Sequence, residues 1–194
     1  MQKTQKIMTE QPKIKLSVEQ YLEIDRKSQH RHEFYNGEMF DMSEASRKHN
    51  IVIKNLMISL ENFLSGKKCN PFMIDVRLNL NNSGNYAYPD ILVVCGDDAF
   101  SEEDIVDDAT LIIEVLSPST EAFDRGTKFQ YYQNLKSINE YVLVSQDKML
   151  IEVFEKESDN HWNYIKISEP KELLTLKSIQ FSVQLSEIYK SIVF

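Results

Sequence analysis

The sequence predicts an α+β or α/β domain in which a mixed central sheet carries helices on its faces. From residue 46 onward the predicted elements follow the order helix, strand, strand, strand, helix, strand, which is typical of that fold class. The chain has 194 residues, 42% of them hydrophobic and 27% charged, a globular composition with enough length for one sizeable core. We therefore expect a flexible tail over residues 1–16 and a single domain over residues 17–194.

The first half of this domain contains two helix patterns that flank a hairpin pattern. Residues 17–27 begin with a serine that can cap a short amphipathic helix. The dipeptide Asn36-Gly37 supplies the positive φ angles of a tight turn, which predicts a hairpin over residues 32–43. Apolar residues then recur at helical spacing over residues 46–66, and the glycine at the end of that segment can terminate the helix.

Strand patterns dominate the second half. Residues 72–80 alternate between two faces and are predicted to form one strand. Residues 88–95 and 110–116 have almost no polar face, so both are predicted to be central strands of the sheet. Residues 124–137 are predicted to form a helix, with a glycine tolerated in its first turn. The remaining predicted elements are a hairpin of strands 140–145 and 150–156, a strand over 162–167 and a closing helix over 185–192.

The charge of the chain is unevenly distributed. The formal net charge is −8, which by itself argues against a nucleic-acid partner. Residues 1–80, however, carry a net +3 and residues 81–194 a net −11, so the first half retains an indication of an anionic partner. Seven acidic residues and no basic residue occupy positions 97–108, which are predicted to form a solvated loop.

Cysteine usage and hydropathy predict a cytoplasmic protein. Cys69 and Cys95 lack CxxC spacing, so we expect neither a disulfide framework nor a zinc site, and this fits a reducing compartment. No apolar run approaches the roughly 18 residues of a membrane span. The lysines near the N-terminus are not followed by an apolar block, so no signal peptide and no contact with a membrane are expected.

Two acidic residues, Asp90 and Glu114, lie in the apolar central strands. If these strands are neighbours, both carboxylates point to the same side of the sheet, where they repel each other and partial burial increases the repulsion. A magnesium ion, which prefers carboxylate oxygens and water as ligands, would remove this conflict. The alternative is a buried ion pair between Glu114 and Arg77, Arg125 or Lys128.

The same residues carry a resemblance to a known family. The stretch YPDILVV, followed 24 residues after Asp90 by Glu114 in IIEVLSPST, resembles the PD-(D/E)XK nuclease superfamily. The segments EVLSPSTEAFDRGTKFQYYQNLKSINEYVLV and EFYNGEMFDMSEASRKHNIVIKNL resemble its Uma-type putative restriction endonuclease family, and the resemblance extends over about residues 17–190. It implies a restriction-endonuclease-like αβββαβ core with a mixed central sheet flanked by helices, preceded by a hairpin. It also implies a Mg²⁺-dependent DNA endonuclease in which Mn²⁺ can substitute. A homodimer is expected, because two sites are the simplest means of cutting two strands.

The resemblance assigns the metal and the catalytic cation to particular residues. Asp90 and Glu114 would bind the metal together with the backbone carbonyl of Val115. The superfamily usually has a lysine two residues after the glutamate, where this chain has Leu116. Lys128, on the following helix, is expected to take over its role of polarising the attacking water or neutralising a phosphate oxygen.

Residues of the N-terminal part would complete the site. The resemblance suggests that Glu33 binds metal or positions water; the alternative is an exposed hairpin acid. His49 lies with Arg47 and Lys48 at the start of the long predicted helix, where these residues are expected to contact phosphate groups of the nucleic acid. The alternative for His49 is a partly buried side chain bonded to a backbone carbonyl.

Three residues of the helix predicted over residues 124–137 would support the catalytic cation. Tyr132 follows Lys128 by one helical turn and could hold the lysine stem, or it could simply pack in the core. Asp124 and Arg125 are expected to act as a helix cap and a salt-bridge partner.

The competing function is a catalytically degenerate nuclease fold that binds nucleic acid or protein, which the displaced lysine and the net charge of −8 favour.

Overall fold

The computed structural model describes residues 15–42, 45–73, 75–80, 84–96 and 99–194. Residues 1–14, most of the predicted tail, lie outside the described residues. The helices are α1 (Val18–Lys27), α2 (Arg47–Leu64), α3 (Glu121–Phe123), α4 (Phe129–Gln133) and α5 (Leu185–Ile188), with a π-helical turn over Asp124–Lys128 and a 3₁₀ turn over Lys177–Ile179. The strands are β1 (His32–Tyr35), β2 (Glu38–Asp41), β3 (Cys69–Met73), β4 (Arg77–Asn79), β5 (Tyr86–Ala87), β6 (Ile91–Cys95), β7 (Phe100–Glu102), β8 (Ile105–Val106), β9 (Leu111–Leu116), β10 (Glu140–Ser145), β11 (Ile151–Ser158), β12 (His161–Ile167), β13 (Leu173–Leu176) and β14 (Phe181–Gln184).

A six-stranded mixed sheet forms the centre of the fold. Its strand order is β12-β11-β10-β9-β6-β3, with β9 and β10 parallel and the other neighbours antiparallel. The two apolar strands β6 and β9 are interior strands, as their lack of a polar face predicted, and they are also neighbours, which the sequence had left open. Because Ile91 pairs with Ile113, the antiparallel register brings the residues just before and just after them, Asp90 and Glu114, to the same point of the sheet.

Each face of the central sheet is covered by apolar side chains. On one face α2 packs its buried stripe of Val52, Leu56 and Leu60 against strand residues that include Val93 and Ile113. On the other face α4 and a second sheet enclose a separate cluster that contains Leu92, Ile112, Tyr132 and Tyr141. Each such side chain contributes about 1.5–3 kcal/mol when it is fully buried. The helices on both faces therefore hold the sheet, and with it the two acidic residues, in a fixed position.

The second sheet brings the N-terminal hairpin to the central sheet. Its strand order is β2-β1-β5-β4-β8-β7. The hairpin of β1 and β2 turns at Asn36 and Gly37, whose φ angles are 52° and 86°, as the sequence predicted. This sheet carries Glu33 and Tyr35 of β1 towards the carboxyl end of β9.

A buried polar network fastens α1 to the second sheet. The Asp25 carboxylate accepts hydrogen bonds from Arg77 Nη2 at 2.9 Å, from the Tyr88 hydroxyl at 2.6 Å and from the His32 backbone at 2.8 Å. Arg77 also pairs with Asp104 at 2.7 Å. Burial favours the protonated acid, but the hydrogen bonds from Tyr88, Arg77 and His32 outweigh it and hold the pKa of Asp25 below its usual value. Asp25 is therefore a buried, charged and fully partnered residue.

Three sequence predictions in the middle of the chain are wrong in extent. The expected single strand over residues 72–80 is divided between β3 in the central sheet and β4 in the second sheet, with Asp75 between them at a φ of 63°. The acidic segment 97–108 is not only a solvated loop, because within its described part it forms β7 and β8, and β8 is buried. The helix predicted for 124–137 begins earlier, contains the π-helical turn and ends at Gln133.

The C-terminal part follows the prediction up to β12. The hairpin of β10 and β11 and the adjacent strand β12 are confirmed. The closing helix is limited to Leu185–Ile188, and the hairpin of β13 and β14 before it was not predicted. Its strands were missed because they are four residues long. Alternation over so few positions gives little signal.

Cys69 and Cys95 correct the expectation of no disulfide. They lie opposite each other on β3 and β6, their Cα atoms are 4.0 Å apart, and their sulfur atoms are bonded. Spacing along the chain did not reveal this, because the pair is brought together by strand register across 26 residues. The cysteines therefore no longer support a reducing compartment, and the cytoplasmic location stays a prediction. In the described part of the chain, no helix has the length and apolarity needed to span a membrane.

Candidate active site

Asp90 and Glu114 are joined through the backbone of the two central strands. The backbone N–H of Asp90 donates to Glu114 Oε2 at 3.3 Å, and the backbone N–H of Val115 donates to Asp90 Oδ2 at 2.7 Å. Glu114 is 3% exposed, whereas the Asp90 side chain is 17% exposed. The carboxylates are thus fixed by reciprocal contacts, with Glu114 at the floor of the site and Asp90 nearer its mouth.

Lys128 supplies the positive charge next to these acids. It lies in the π-helical turn, is 5% exposed, and places Nζ 2.8 Å from Glu114 Oε1 and 2.8 Å from Glu33 Oε1. Asp124 Oδ1 is farther away, at 3.7 Å. The structure therefore brings Lys128 to Glu114, as both the metal-site interpretation and the ion-pair interpretation of the sequence allowed.

The other two cations proposed as partners of Glu114 lie elsewhere. Arg77 is bound in the network of α1, and Arg125 pairs with Glu121 and Glu152. Arg125 is thus a salt-bridge partner, as expected. Asp124 is buried and faces Lys128, and because α3 precedes it, it does not cap the start of the helical segment. Lys128 is the candidate cation of the site for this reason.

Glu33 is not an exposed hairpin acid. Its side chain is 13% exposed, and besides Lys128 its Oε1 accepts from the backbone N–H of Tyr88 at 3.2 Å. Its Oε2 accepts from the hydroxyl of Tyr35 at 3.1 Å. Neither tyrosine was predicted from the sequence, although Tyr35 could have been inferred because residues two apart share a strand face. The contact of Tyr88 depends on its backbone and left no signal in the sequence.

Tyr132 contacts the acid to which Lys128 also binds. Its hydroxyl donates to Glu114 Oε1 at 2.8 Å, and its ring is fully buried in the core cluster. It therefore packs in the core and also satisfies the same oxygen that Lys128 binds. The π-helical turn before α4 lets both side chains face Glu114, and such turns recur at functional sites.

The buried acids of the site resist ionisation. Burial raises the pKa of Glu114 to about 8, against the opposing effect of Lys128 and with the added repulsion of Asp90. Burial likewise raises the pKa of Asp124. Burial opposes the charge of Lys128 as well, but Glu114 and Glu33 outweigh it and raise its pKa well above the usual value. The site therefore holds a charged lysine beside acids that burial keeps from ionising readily.

His49 reaches the site from the first turn of α2. Its Nε2 lies 3.2 Å from Asp90 Oδ2, the residue is 8% exposed, and its Nδ1 is buried without a hydrogen-bond partner among the described residues. Burial disfavours the imidazolium, but Asp90 and the Val115 backbone outweigh it and raise the pKa of His49. Arg47 is exposed, and Lys48 lies 5.6 Å from the centre of the Phe194 ring. His49 is thus turned towards Asp90, while Arg47 remains open to a ligand.

The start of α2 is itself held in place. Ser46 caps the helix by accepting from the backbone N–H of His49 at 3.1 Å, and its hydroxyl donates to the buried side chain of Gln146. Gln146 follows β10, so the cap connects α2 to the end of the central sheet. Neither residue was predicted as part of the site, since their contact spans 100 positions of the sequence.

One cavity of about 450 Å³ opens beside the acids, Lys128 and His49. Its wall includes Glu33, His49, Asp90, Glu114, Asp124 and Lys128. With Asp41, five carboxyl groups line this cavity against one lysine, so their full ionisation would leave an excess of negative charge that a divalent cation can neutralise. In the described part of the chain no three His, Cys, Asp or Glu side chains converge on one point. A hard cation bound here would have Asp90 and Glu114 as its side-chain ligands and would need water and backbone oxygen to complete its shell.

Comparisons with known proteins agree with the resemblance seen in the sequence. The family model Uma2, described as "Putative restriction endonuclease", matches residues 18–186. The uncharacterized protein slr1290 of Synechocystis sp. is 32% identical over 183 residues, which cover 94% of this chain and 96% of that protein. The uncharacterized protein sll1609 of the same organism is 31% identical over 149 residues, or 76% of this chain and 84% of that protein.

A solved structure has the same fold. The crystal structure of a "putative nuclease belonging to DUF820" from Anabaena variabilis superposes with a TM-score of 0.75 at 14% identity. The match covers 90% of this chain and 97% of that protein. The restriction-endonuclease-like fold expected from the sequence is therefore confirmed.

Proposed function

Because this chain belongs to the Uma2 family of putative restriction endonucleases, we propose that it is a metal-dependent endonuclease that hydrolyses phosphodiester bonds of DNA. The observation that carries the proposal is the contact between Lys128 and Glu114 beside Asp90, at one end of a cavity large enough for a phosphate group. Two acids on neighbouring strands and a lysine within 3 Å of one of them form a site for phosphoryl chemistry.

Asp90 and Glu114 would hold the metal, Mg²⁺ or in its place Mn²⁺, with the backbone carbonyl of Val115 as a third protein ligand. Bound there, a divalent cation would lower the pKa of a water molecule and neutralise charge on the phosphoryl oxygens. Glu114 would give up the proton that burial favours, since the excess negative charge of the cavity is then compensated.

Lys128 would act on the substrate. Its ammonium lies at the cavity wall, where it can orient the attacking water or neutralise a phosphate oxygen as water adds to phosphorus and one P–O ester bond breaks. Glu33, Tyr35 and Tyr132 would keep this ammonium and its partner acid in position. Arg47 and Lys48, at the start of α2, would contact phosphates of the bound strand.

A non-catalytic nucleic-acid-binding module is the second candidate. It is favoured by the fact that Lys128 is already bound by two carboxylates, at 2.8 Å each, which leaves it less free to meet a phosphate. Such a protein would bind DNA with a steep dependence on salt and would not cut it.

A metal-titrated assay on supercoiled plasmid tests the proposal. The wild type should produce nicked and linear plasmid in Mg²⁺ or Mn²⁺ but not in EDTA, and Asp90→Asn should be inactive. Asp159→Asn, at an exposed acid outside the cavity, is the matched control and should cut like the wild type. Uncut plasmid under every metal condition, together with salt-sensitive DNA binding, would select the binding module. Cleavage of RNA alone would replace DNA as the substrate.

Two further features are proposed on the same basis. A homodimer would present two sites for the two strands of a duplex, which sedimentation of the protein with and without DNA can test. A cytoplasmic location is proposed because the substrate would be intracellular DNA; fractionation of the producing cells tests it.

A further inference from the structure

The cavity of the candidate active site has an apolar part that the proposed chemistry does not use. Met42, Ile53 and Phe123 line it, in the same space as the acids and Lys128. Its volume of about 450 Å³ falls in the range of about 300–1,000 Å³ that is typical of pockets for whole small molecules. A phosphate group alone would leave the apolar wall in contact with water. The cavity therefore has room for more of a nucleotide than its phosphate.

The reacting groups lie below the surface of the protein, at the floor of this cavity. Glu114 and Lys128 are almost fully buried, so a phosphate can approach them only by entering the cavity. In DNA that phosphate is joined to a sugar and a base, and in a regular duplex the base is both stacked and paired. Entry of the phosphate to this depth draws its nucleotide out of the stack, as in enzymes that extrude a base.

The apolar wall is built from three separate elements and is held in shape. Met42 follows β2 and is 42% exposed at the mouth of the cavity, whereas Ile53 is buried on α2. Phe123 ends α3 and packs edge-on against the ring of Tyr35, with the ring centroids 5.4 Å apart. Because the Tyr35 hydroxyl donates to Glu33, this ring is tied to the acidic part of the site. Aromatic rings stack on bases of any sequence, and a methionine side chain adapts to such flat surfaces.

We propose that the cavity receives one unstacked nucleobase of the substrate, held against Met42 and Phe123, and that Asn50 selects adenine there. Asn50 lines the cavity from the first turn of α2. Its amide presents one donor and one acceptor side by side, the pattern that pairs with the edge of adenine. The inference rests on the proposed function and names its substrate class. This class is DNA with an unpaired or single-stranded nucleotide, in preference to a fully paired duplex, in which extrusion costs pairing and stacking.

Fluorescence anisotropy in EDTA tests the pocket without cleavage. The probes are a labelled DNA duplex, the same duplex with one unpaired adenine, and one of its single strands. The wild type should bind the two probes with an unpaired base about tenfold more tightly than the matched duplex, because the cost of extrusion is absent. Met42→Ser should reduce this preference to about twofold. Met73→Ser, at a methionine on β3 that is 43% exposed, is the matched control and should retain the preference.

Replacement of the unpaired base tests the role of Asn50. With guanine, cytosine or thymine in place of the unpaired adenine, the affinity of the wild type should fall by about fivefold or more. Asn50→Ala should bind all four probes alike. Asn160→Ala, at an exposed asparagine in the turn before β12, is the matched control and should keep the preference for adenine.

The outcomes separate the pocket from the proposed function. Equal affinity of the wild type for the first three probes, including no binding to any of them, would overturn the pocket, while cleavage of plasmid in Mg²⁺ would still support the function. Tighter binding of unpaired DNA without cleavage under any metal condition would keep the pocket and overturn the catalytic function. A preference for unpaired DNA that Met42→Ser retains would overturn the place assigned to the base. A preference for adenine that Asn50→Ala retains would overturn the role of Asn50.

Discussion

Nζ of Lys128 lies 2.8 Å from Oε1 of Glu114, although the residue two positions after Glu114 is a leucine. The lysine comes from the π-helical turn that follows β9 and reaches back to the strand acid. A positive charge can therefore be supplied to a strand acid from a neighbouring helix, and the absence of a lysine at position 116 does not make the site inactive by itself.

Replacement of Lys128 by methionine tests this contact. Lys128→Met keeps the length and apolar character of the stem but leaves Glu33 and Glu114 without their shared cation. We expect the free energy of unfolding to fall by about 3 kcal/mol, because a buried ion pair is broken. Cleavage should fall on the order of 10²–10³-fold, since charge stabilisation of the transition state is lost, while DNA binding persists.

Arg125→Met is the matched control for Lys128. Arg125 is two-thirds buried and pairs with Glu121 and Glu152 instead of the site acids. We expect this variant to cut plasmid at nearly the wild-type rate in the same metal-titrated assay. If Arg125→Met abolishes cleavage while Lys128→Met retains it, the catalytic cation has been assigned to the wrong residue.

Glu33 is expected to position Lys128 rather than to react. Glu33→Gln removes the negative charge of one of the two acids that hold the Lys128 ammonium. The ammonium should therefore move towards Glu114 and away from the substrate. We predict a loss of about tenfold to 100-fold in kcat with a nearly unchanged KM, and partial recovery in Glu33→Asp, which restores the charge.

Steady-state kinetics on a short duplex separate these outcomes for Glu33. Glu61→Gln, at an exposed acid on α2, is the control and should leave both constants unchanged. A rise in KM with unchanged kcat would show that Glu33 contributes to binding. Equal activity of Glu33→Gln and the wild type would mean that Lys128 needs no second acid.

The central part of the site could be predicted from the sequence because it follows from local pattern. The apolar runs of β6 and β9 predicted two interior strands, and an acid next to or inside such a run is unusual enough to identify Asp90 and Glu114. Strand register, which is set by backbone pairing, then brought the two together.

The parts that the sequence did not predict depend on contacts between distant segments. The link from Ser46 to Gln146 and the pairing of Cys69 with Cys95 arise from tertiary packing and strand register, and neither leaves a periodic signal. The division of residues 72–80 between two sheets turns on a positive φ at Asp75, which alternation of apolar residues cannot reveal.

The Asp25 network should make the fold sensitive to acid. Asp25→Asn leaves Arg77 without its fully buried acid, so we expect a loss of about 3–5 kcal/mol at pH 7 in urea unfolding. The pKa of Asp25 is lower in the folded state than its usual 3.8, so its contribution is present above that pH and is lost as the pH falls through the folded value. The gap between wild type and variant should therefore close in acid.

Asp159→Asn is the control for this measurement. Its side chain is 84% exposed and pairs only loosely with Lys156, at 3.4 Å, so its replacement should change stability little at any pH. A gap between wild type and Asp25→Asn that stays constant from pH 7 to pH 3 would contradict a charged Asp25.

Glu114 should show the opposite dependence on pH. Its pKa is raised to about 8 by burial from an ordinary value of 4.5, so between these values the folded state binds more protons than the unfolded state. The stability that Glu114 contributes is complete below pH 4.5 and is lost as the pH rises through about 8. Glu114→Gln cannot ionise, and its amide can still accept from Tyr132. In EDTA the variant should therefore gain on the wild type by at most about 1.4 kcal/mol for each pH unit across this window.

Urea unfolding at pH 5, 6, 7 and 8 distinguishes the two roles that the sequence left open for Glu114. Glu157→Gln, at an exposed acid on β11, is the control and should show a constant difference from the wild type. If Glu114 is instead a charged partner of Lys128 throughout, its replacement leaves that cation with Glu33 alone and should cost about 3–5 kcal/mol at pH 8. A gain with rising pH, reversed when Mg²⁺ is added to the wild type, would identify Glu114 as an acid that is held protonated until a metal ion binds.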